Sequence, residues 1–258
     1  MNKILKFMFV IMLIIPFAVQ AETDKEIVGQ TIKYIKTVSI LNNSSVMREA
    51  NMAEISSLTT EVTKEEFDNA EPTTEPVAPL NENARYTQTE TTYKRLTTTI
   101  YKDATYYNYE TNLYWKNIPK VRSYDIISIG HYGNVELYDT SIVGFTNDYC
   151  LSATNCYSSA VGTDVIQTYG TAVVFKLPTD SLISLEQTLD FTVKKAVTYT
   201  ITEQVAAGDY AHATKTVSQS TAVNNITPNS TGLFITPSIE NTYYDTTPAA
   251  LVHWTGTW

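Results

Sequence analysis

From Tyr86 onward, apolar and polar side chains alternate with a period of two, which puts one row inside and one row outside a pleated sheet. Leu96, Thr98 and Ile100 alternate with Thr97 and Thr99. After a turn at Lys102-Asp103-Ala104, the residues Thr105, Tyr107, Tyr109, Thr111, Leu113 and Trp115 share one face, opposite Asn108, Glu110 and Asn112. This pattern predicts an antiparallel hairpin. Further strands are expected at Ser123 to His131, Val135 to Tyr138, Ile142 to Tyr149, Asp164 to Thr168 and Ala172 to Leu177, with turns at Gly133-Asn134 and Pro178-Thr179-Asp180.

Thr188 to Val205 is the longest alternating run, read as one bulged strand or as two strands meeting near Lys194-Lys195. Gly208-Asp209 is expected to turn the chain into a strand over Tyr210 to Val217. A last pair is expected over Leu233 to Ile239 and Ala250 to Trp258. About nine to eleven short strands, with turn signals roughly every ten residues, predict an antiparallel β-sandwich over 85–258.

The first part of the chain differs. Gln30 to Leu41 and Val46 to Val62 show helical spacing, and Thr63-Lys-Glu-Glu resembles a helix cap, so 22–70 is read as an acidic, partly helical segment. Residues 71–84, rich in Pro, Glu and Thr, are read as a linker, and 22–84 as a whole as a propeptide, a spacer or an arm.

Residues 1–21 predict a signal peptide. Lys3 and Lys6 form a basic start, Phe7 to Ile15 an apolar run too short to span a bilayer comfortably, and Val19-Gln20-Ala21 a peptidase-type site. The cut is expected between Ala21 and Glu22, with no cysteine nearby for lipid attachment. Export to the extracellular space follows, and no later stretch has the length and apolarity of an integral membrane segment.

Composition sharpens this picture in two ways. The chain carries 18 Lys and Arg against 27 Asp and Glu, net −9, and signal cleavage removes Lys3 and Lys6 and no acid. That balance argues against nucleic acid, which rewards clustered basic residues. Cys150 and Cys156 are the only cysteines, and in an exported chain such a close pair predicts a disulfide clamping a loop.

Candidate chemistry is sparse. Gly-x-Ser-x-Gly and His-Glu-x-x-His are absent, His131, His212 and His253 lie far apart in sequence, and no metal or other cofactor is expected. Glu110, Asp125, Glu136 and Asp190 are the carboxylates considered for glycosidase chemistry, and none stands out. The most distinctive segment is Trp115-Lys-Asn-Ile-Pro-Lys-Val-Arg-Ser-Tyr-Asp125. There an Arg122–Asp125 ion pair is expected to hold a strand corner, and Trp115, Arg122, Tyr124 and Asp125 are the candidate ligand-binding residues if Trp115 is exposed.

The run Trp115-Lys-x-Ile-Pro-Lys-x-Arg-Ser-Tyr-Asp-Ile-Ile, with the later Gly208-Asp-Tyr-Ala-His-Ala-Thr-Lys, resembles segments of uncharacterised secreted proteins of Gram-positive bacteria, over roughly 95–217. The resemblance implies secretion and a β-rich body, and brings no catalytic residues. The function expected is a non-enzymatic extracellular binding module for a glycan, cell-surface or protein partner. A secreted pore-forming β-toxin, using Thr97 to Ile100 and Thr188 to Val205, is the first alternative. A hydrolase with a dispersed site is the second.

Overall fold

A computed structural model describes residues 25–42, 58–71, 74–77, 87–103, 105–139, 143–224, 226–228, 235–237 and 244–258. The expected signal peptide, with its cut between Ala21 and Glu22, lies outside them. In chain order the elements are β1 (Glu26–Asn42), β2 (Leu58–Val62), α1 (Lys64–Asn69), β3 (Thr74–Val77), β4 (Thr87–Lys102), β5 (Tyr107–Trp115), β6 (Tyr124–His131), β7 (Val135–Leu137), β8 (Val143–Ser152) and β9 (Asn155–Ser159). They continue with β10 (Thr163–Gln167), β11 (Gly170–Lys176), β12 (Ser184–Lys195), β13 (Glu203–Ala213), α2 (Gln219–Asn224), β14 (Ile226–Pro228), β15 (Ile235–Pro237), β16 (Tyr244–Thr246) and β17 (Ala250–Thr255).

Two antiparallel sheets pack face to face, as the alternation predicts. The first runs β2-β1-β4-β5-β12-β8-β9, with β3 also on β4 and β7 also on β12. The second runs β10-β11-β6-β13-β16, with β17 also on β13, and β14 pairs with β15 apart from both. Between the large sheets the inward rows interlock: Leu96, Ile100, Tyr109, Leu113 and Trp115 meet Ile127, Ile129, Val173, Phe175 and Tyr210. Burying such rows from water is the main source of stability in a sandwich. The 96–100 and 188–193 stretches lie in central strands of the first sheet.

Three local readings change. Gln30 to Leu41 is part of the strand β1, not a helix, and pairs with β4 from Glu26↔Lys102 to Asn42↔Thr87. Its Thr, Ile, Tyr and Val content favours extended backbone, and Ile35 and Thr37 face inward two residues apart. Of Val46 to Val62, the part from Leu58 is the strand β2, and 46–57 lies outside the described residues. The expected cap does form. Thr63 accepts from the Glu66 amide at 3.1 Å and opens α1, whose Phe67 packs on Tyr34. Within the expected linker, Thr74–Val77 adds to the edge of β4. The first sheet therefore begins well before residue 85.

The Thr188 to Val205 run resolves into two strands, β12 and β13, which lie in different sheets. Gly208 and Asp209 do not turn the chain but sit inside β13. A Cβ at Gly208 would lie 2.1 Å from Thr98 Oγ1 and 2.3 Å from Thr111 Oγ1, so the missing side chain lets the two sheets approach closely here. The two threonine hydroxyls are themselves hydrogen-bonded at 3.2 Å. The chain end becomes β17, and Trp254 and Trp258 pack on Tyr107 at 5.2 and 4.6 Å between ring centroids.

The close approach generates a prediction. Gly208→Ala forces the buried Thr98 and Thr111 apart and should lower the unfolding free energy by about 2 kcal/mol. Urea denaturation measures it, and an unchanged midpoint would contradict a glycine chosen for contact.

Candidate functional site

The alternation that places Leu96, Thr98 and Ile100 inside also places Lys94 inside. Its cross-strand partner on β5 is Trp115. Lys94 is 0% exposed, and its Nζ has no hydrogen-bond partner among the described residues. The ammonium lies over the rings of Trp115 and Tyr210, 4.8 and 5.8 Å from their centroids, where the π-faces attract it. Burial pushes its pKa down to about 8, opposed by the charges of Asp245 first and Asp125 second.

Both carboxylates come from the second sheet. Asp125 starts the inward row of β6, beside β13 with Tyr210 and His212, and Asp245 on β16 is the register partner of His212. Asp125 is 0% exposed and fully occupied. Its Oδ2 accepts from the Tyr210 hydroxyl and from His212 Nδ1 at 2.9 Å, and its Oδ1 accepts from the Ala213 amide at 2.9 Å. With a carboxylate opposite, the His212 proton resides on Nδ1.

Asp245 is buried too, but its Oδ2 has no partner among the described residues. Burial raises its pKa, with Lys94 and then His212 pulling the other way. Burial, then Asp125, also holds the Tyr210 hydroxyl well above the usual phenol range. Trp115 closes the site. Its Nε1–H donates to Gln187 at 3.2 Å, Gln187 donates in turn to Asn147 at 2.9 Å, and its ring meets His212 edge-on at 5.1 Å.

The four residues singled out from sequence separate. Trp115 is 1% exposed, so the exposed tryptophan expected of a binding surface gives way to a core residue. Arg122 does not pair with Asp125. It donates to the carbonyls of Pro119 at 3.2 Å, Pro178 at 3.1 Å and Asp180, and so clamps two loops together. Tyr124 is half-buried, and its carbonyl accepts from the Tyr244 hydroxyl at 3.0 Å. Asp125 is therefore a member of a buried cluster with Lys94, Tyr210, His212 and Asp245, of which Lys94 and Asp245 are not apparent from motifs.

The remaining candidates lie elsewhere. Glu110 and Asp190 face each other across β5 and β12 on the outer face of the first sheet, and burial raises both carboxyls. Glu136 pairs with Lys194 at 3.4 Å. His131 is buried against Tyr109 and Phe191, while His253 pairs at the surface with Glu203 at 2.5 Å. Among the described residues, no three His, Cys, Asp or Glu side chains converge to hold a metal. Cys150 and Cys156 are joined in a disulfide across the register of β8 and β9. No helix among the described residues is long and apolar enough to cross a membrane.

No protein-family model matches the chain, and no curated protein matches it. Among solved structures it is similar to the collagen-binding domain from a Staphylococcus aureus adhesin, at 16% identity and a TM-score of 0.31, over 42% of this chain and 76% of that one. It is also similar to the collagen-binding domain of the Erysipelothrix rhusiopathiae surface protein RspB, at 8% identity and a TM-score of 0.27, over 67% of this chain and 71% of that one.

A second buried acid gives a pH prediction. Asp209, on the opposite face of β13 from Tyr210, has an Oδ2 with no partner among the described residues, and burial pushes its carboxyl up to about 7. Its folded pKa exceeds the unfolded value of about 3.9, so the folded state holds this proton more tightly. The resulting stabilisation is complete below about pH 4 and is lost as pH rises to about 7. Asp209→Asn should remove a decline on the order of 4 kcal/mol over that window, measured by denaturation at a series of pH values. Parallel curves for the two proteins would contradict it.

Proposed function

We propose that the protein is an exported, non-enzymatic binding module that engages another protein along the open side of the sandwich formed by β9 and β10. The observation that carries this reading is the character of that side. β9 ends the first sheet and β10 ends the second, and only residues 160–162 connect them. Among the described residues neither pairs on its outer side, so both offer backbone donors and acceptors, the usual template for an added strand from a partner.

The side chains there support the same reading. Asn155–Ser159 carries no charge, and Tyr157 and Val161 are 47% and 79% exposed, with Ile166 and Tyr169 exposed nearby in sequence. Exposed apolar and tyrosine side chains, with Asp164 the one charge on the two edge strands, favour a protein partner over a polyanion. The edge is also held in shape. The disulfide ties β9 to β8, Tyr157 stacks on Tyr149 with ring centroids 5.4 Å apart, and Gly162 sits against Val173 and Phe145. A pre-shaped edge binds with less ordering cost. Lys94 and Asp125 are 0% exposed and Asp245 4%, so the accessible side chains lie at the edge and not in this cluster, which supports binding there.

The test is surface plasmon resonance of the purified protein over immobilised extracellular-matrix proteins. Collagen comes first, because the two similar structures are collagen-binding domains. Binding should fall about tenfold in a Tyr157→Ala, Val161→Asp double variant that retains its fold. Failure to bind any matrix protein or host cell, or binding that the double variant leaves unchanged, would sink the proposal.

A further inference from the structure

We infer that Lys94 Nζ and Asp245 Cγ become joined by an amide bond, formed by the folded protein itself, with Asp125 carrying the proton. The geometry selects both partners. Lys94 reaches from the first sheet toward the row formed by Asp125, His212 and Asp245 on the second, and its nitrogen has no hydrogen-bond acceptor among the described residues. Of the two carboxyls that act on it, Asp125 has both oxygens engaged by Tyr210, His212 and the Ala213 amide. Asp245 has an oxygen to spare. Asp245 is therefore the electrophile, and Asp125 remains the fixed base.

The reaction balances without any co-reactant. The lone pair of the neutral Lys94 amine attacks Cγ of the protonated Asp245 carboxyl. One N–H proton passes to Asp125 and then to the departing hydroxyl. The Cγ–O bond breaks, one water leaves, and Asp125 ends as the carboxylate it began as. Burial favours the reactive forms of both partners, since it lowers the pKa of the amine and raises that of the acid. Holding the two groups together in a dry pocket supplies the high effective concentration that amide formation lacks in water. The product is also favoured, because an unpaired buried ammonium and carboxyl are replaced by a neutral amide.

His212 and Tyr210 are positioning residues. They orient Asp125, and with Trp115 they exclude solvent. The bond would tie β4 in the first sheet to β16 in the second, and it forms whatever the protein binds.

Intact-mass measurement and tryptic mapping of the purified full chain test this, after allowance for N-terminal trimming. The expected mass is about 18 Da below that of the sequence, with one branched peptide joining the Lys94 and Asp245 segments. Lys94→Met, Asp245→Ala and Asp125→Asn should each show full sequence mass. Thermal melting separates the bond from simple burial. Removing an unpaired buried amine without a bond should raise the melting temperature, whereas loss of the bond in Lys94→Met should lower it by about 10 °C. A wild-type chain at full mass, a loss of water confined to one unbranched peptide, or a higher melting temperature in Lys94→Met would each overturn the inference.

Discussion

A lysine side chain withdrawn from water, beside two aromatic rings and acted on by two aspartates of the facing sheet, sets the terms for this sandwich. Charge in an interior is costly unless it is paired, and the cost falls on every element that encloses it. Lys94 is enclosed by β5 through Trp115, by β13 through Tyr210 and by β16 through Asp245. Any shift of one sheet relative to the other would strand it. The cluster thus specifies register between sheets, which interchangeable apolar contacts do poorly.

The surrounding packing keeps the two sheets close enough for that cluster to exist. Gly208 lets β13 approach β4 and β5 at the Thr98–Thr111 pair, and the Trp115–Gln187–Asn147 chain fixes the tryptophan from β12 and β8. The binding edge proposed at β9 and β10 lies at the far ends of the same sheets, beyond β8 and β11. A covalent tie from β4 to β16, at the end of the second sheet opposite β10, would let the edge take up load without the sheets sliding apart.

The period-two runs made the sandwich readable from sequence, because a half-buried strand leaves its alternation in the residues. The β4–β5 hairpin and the inward row from Tyr107 to Trp115 follow directly from it. Gln30 to Leu41 misled because apolar residues three and four apart also occur in a strand whose two faces are both partly covered, and its β-branched content was the better guide. Gly208-Asp209 has the composition of a turn, and only the close approach of another sheet shows that the glycine is there for space. Asp125 stood out in sequence, but with Arg122 as partner, since local spacing is visible and long-range pairing is not. Lys94 was hidden beside Arg95 as an ordinary basic pair. Extending the Leu96, Thr98, Ile100 alternation back by two residues would have placed it inside.

The most direct test of this account is a crystal structure at atomic resolution of the oxidised, full-length protein, inspected between the two sheets. Continuous electron density is expected from Lys94 Nζ to Asp245 Cγ at amide-bond length, about 1.3 Å, with Asp125 hydrogen-bonded beside it. Separate, well-ordered side chains at van der Waals distance, with an intact Asp245 carboxylate, would contradict it.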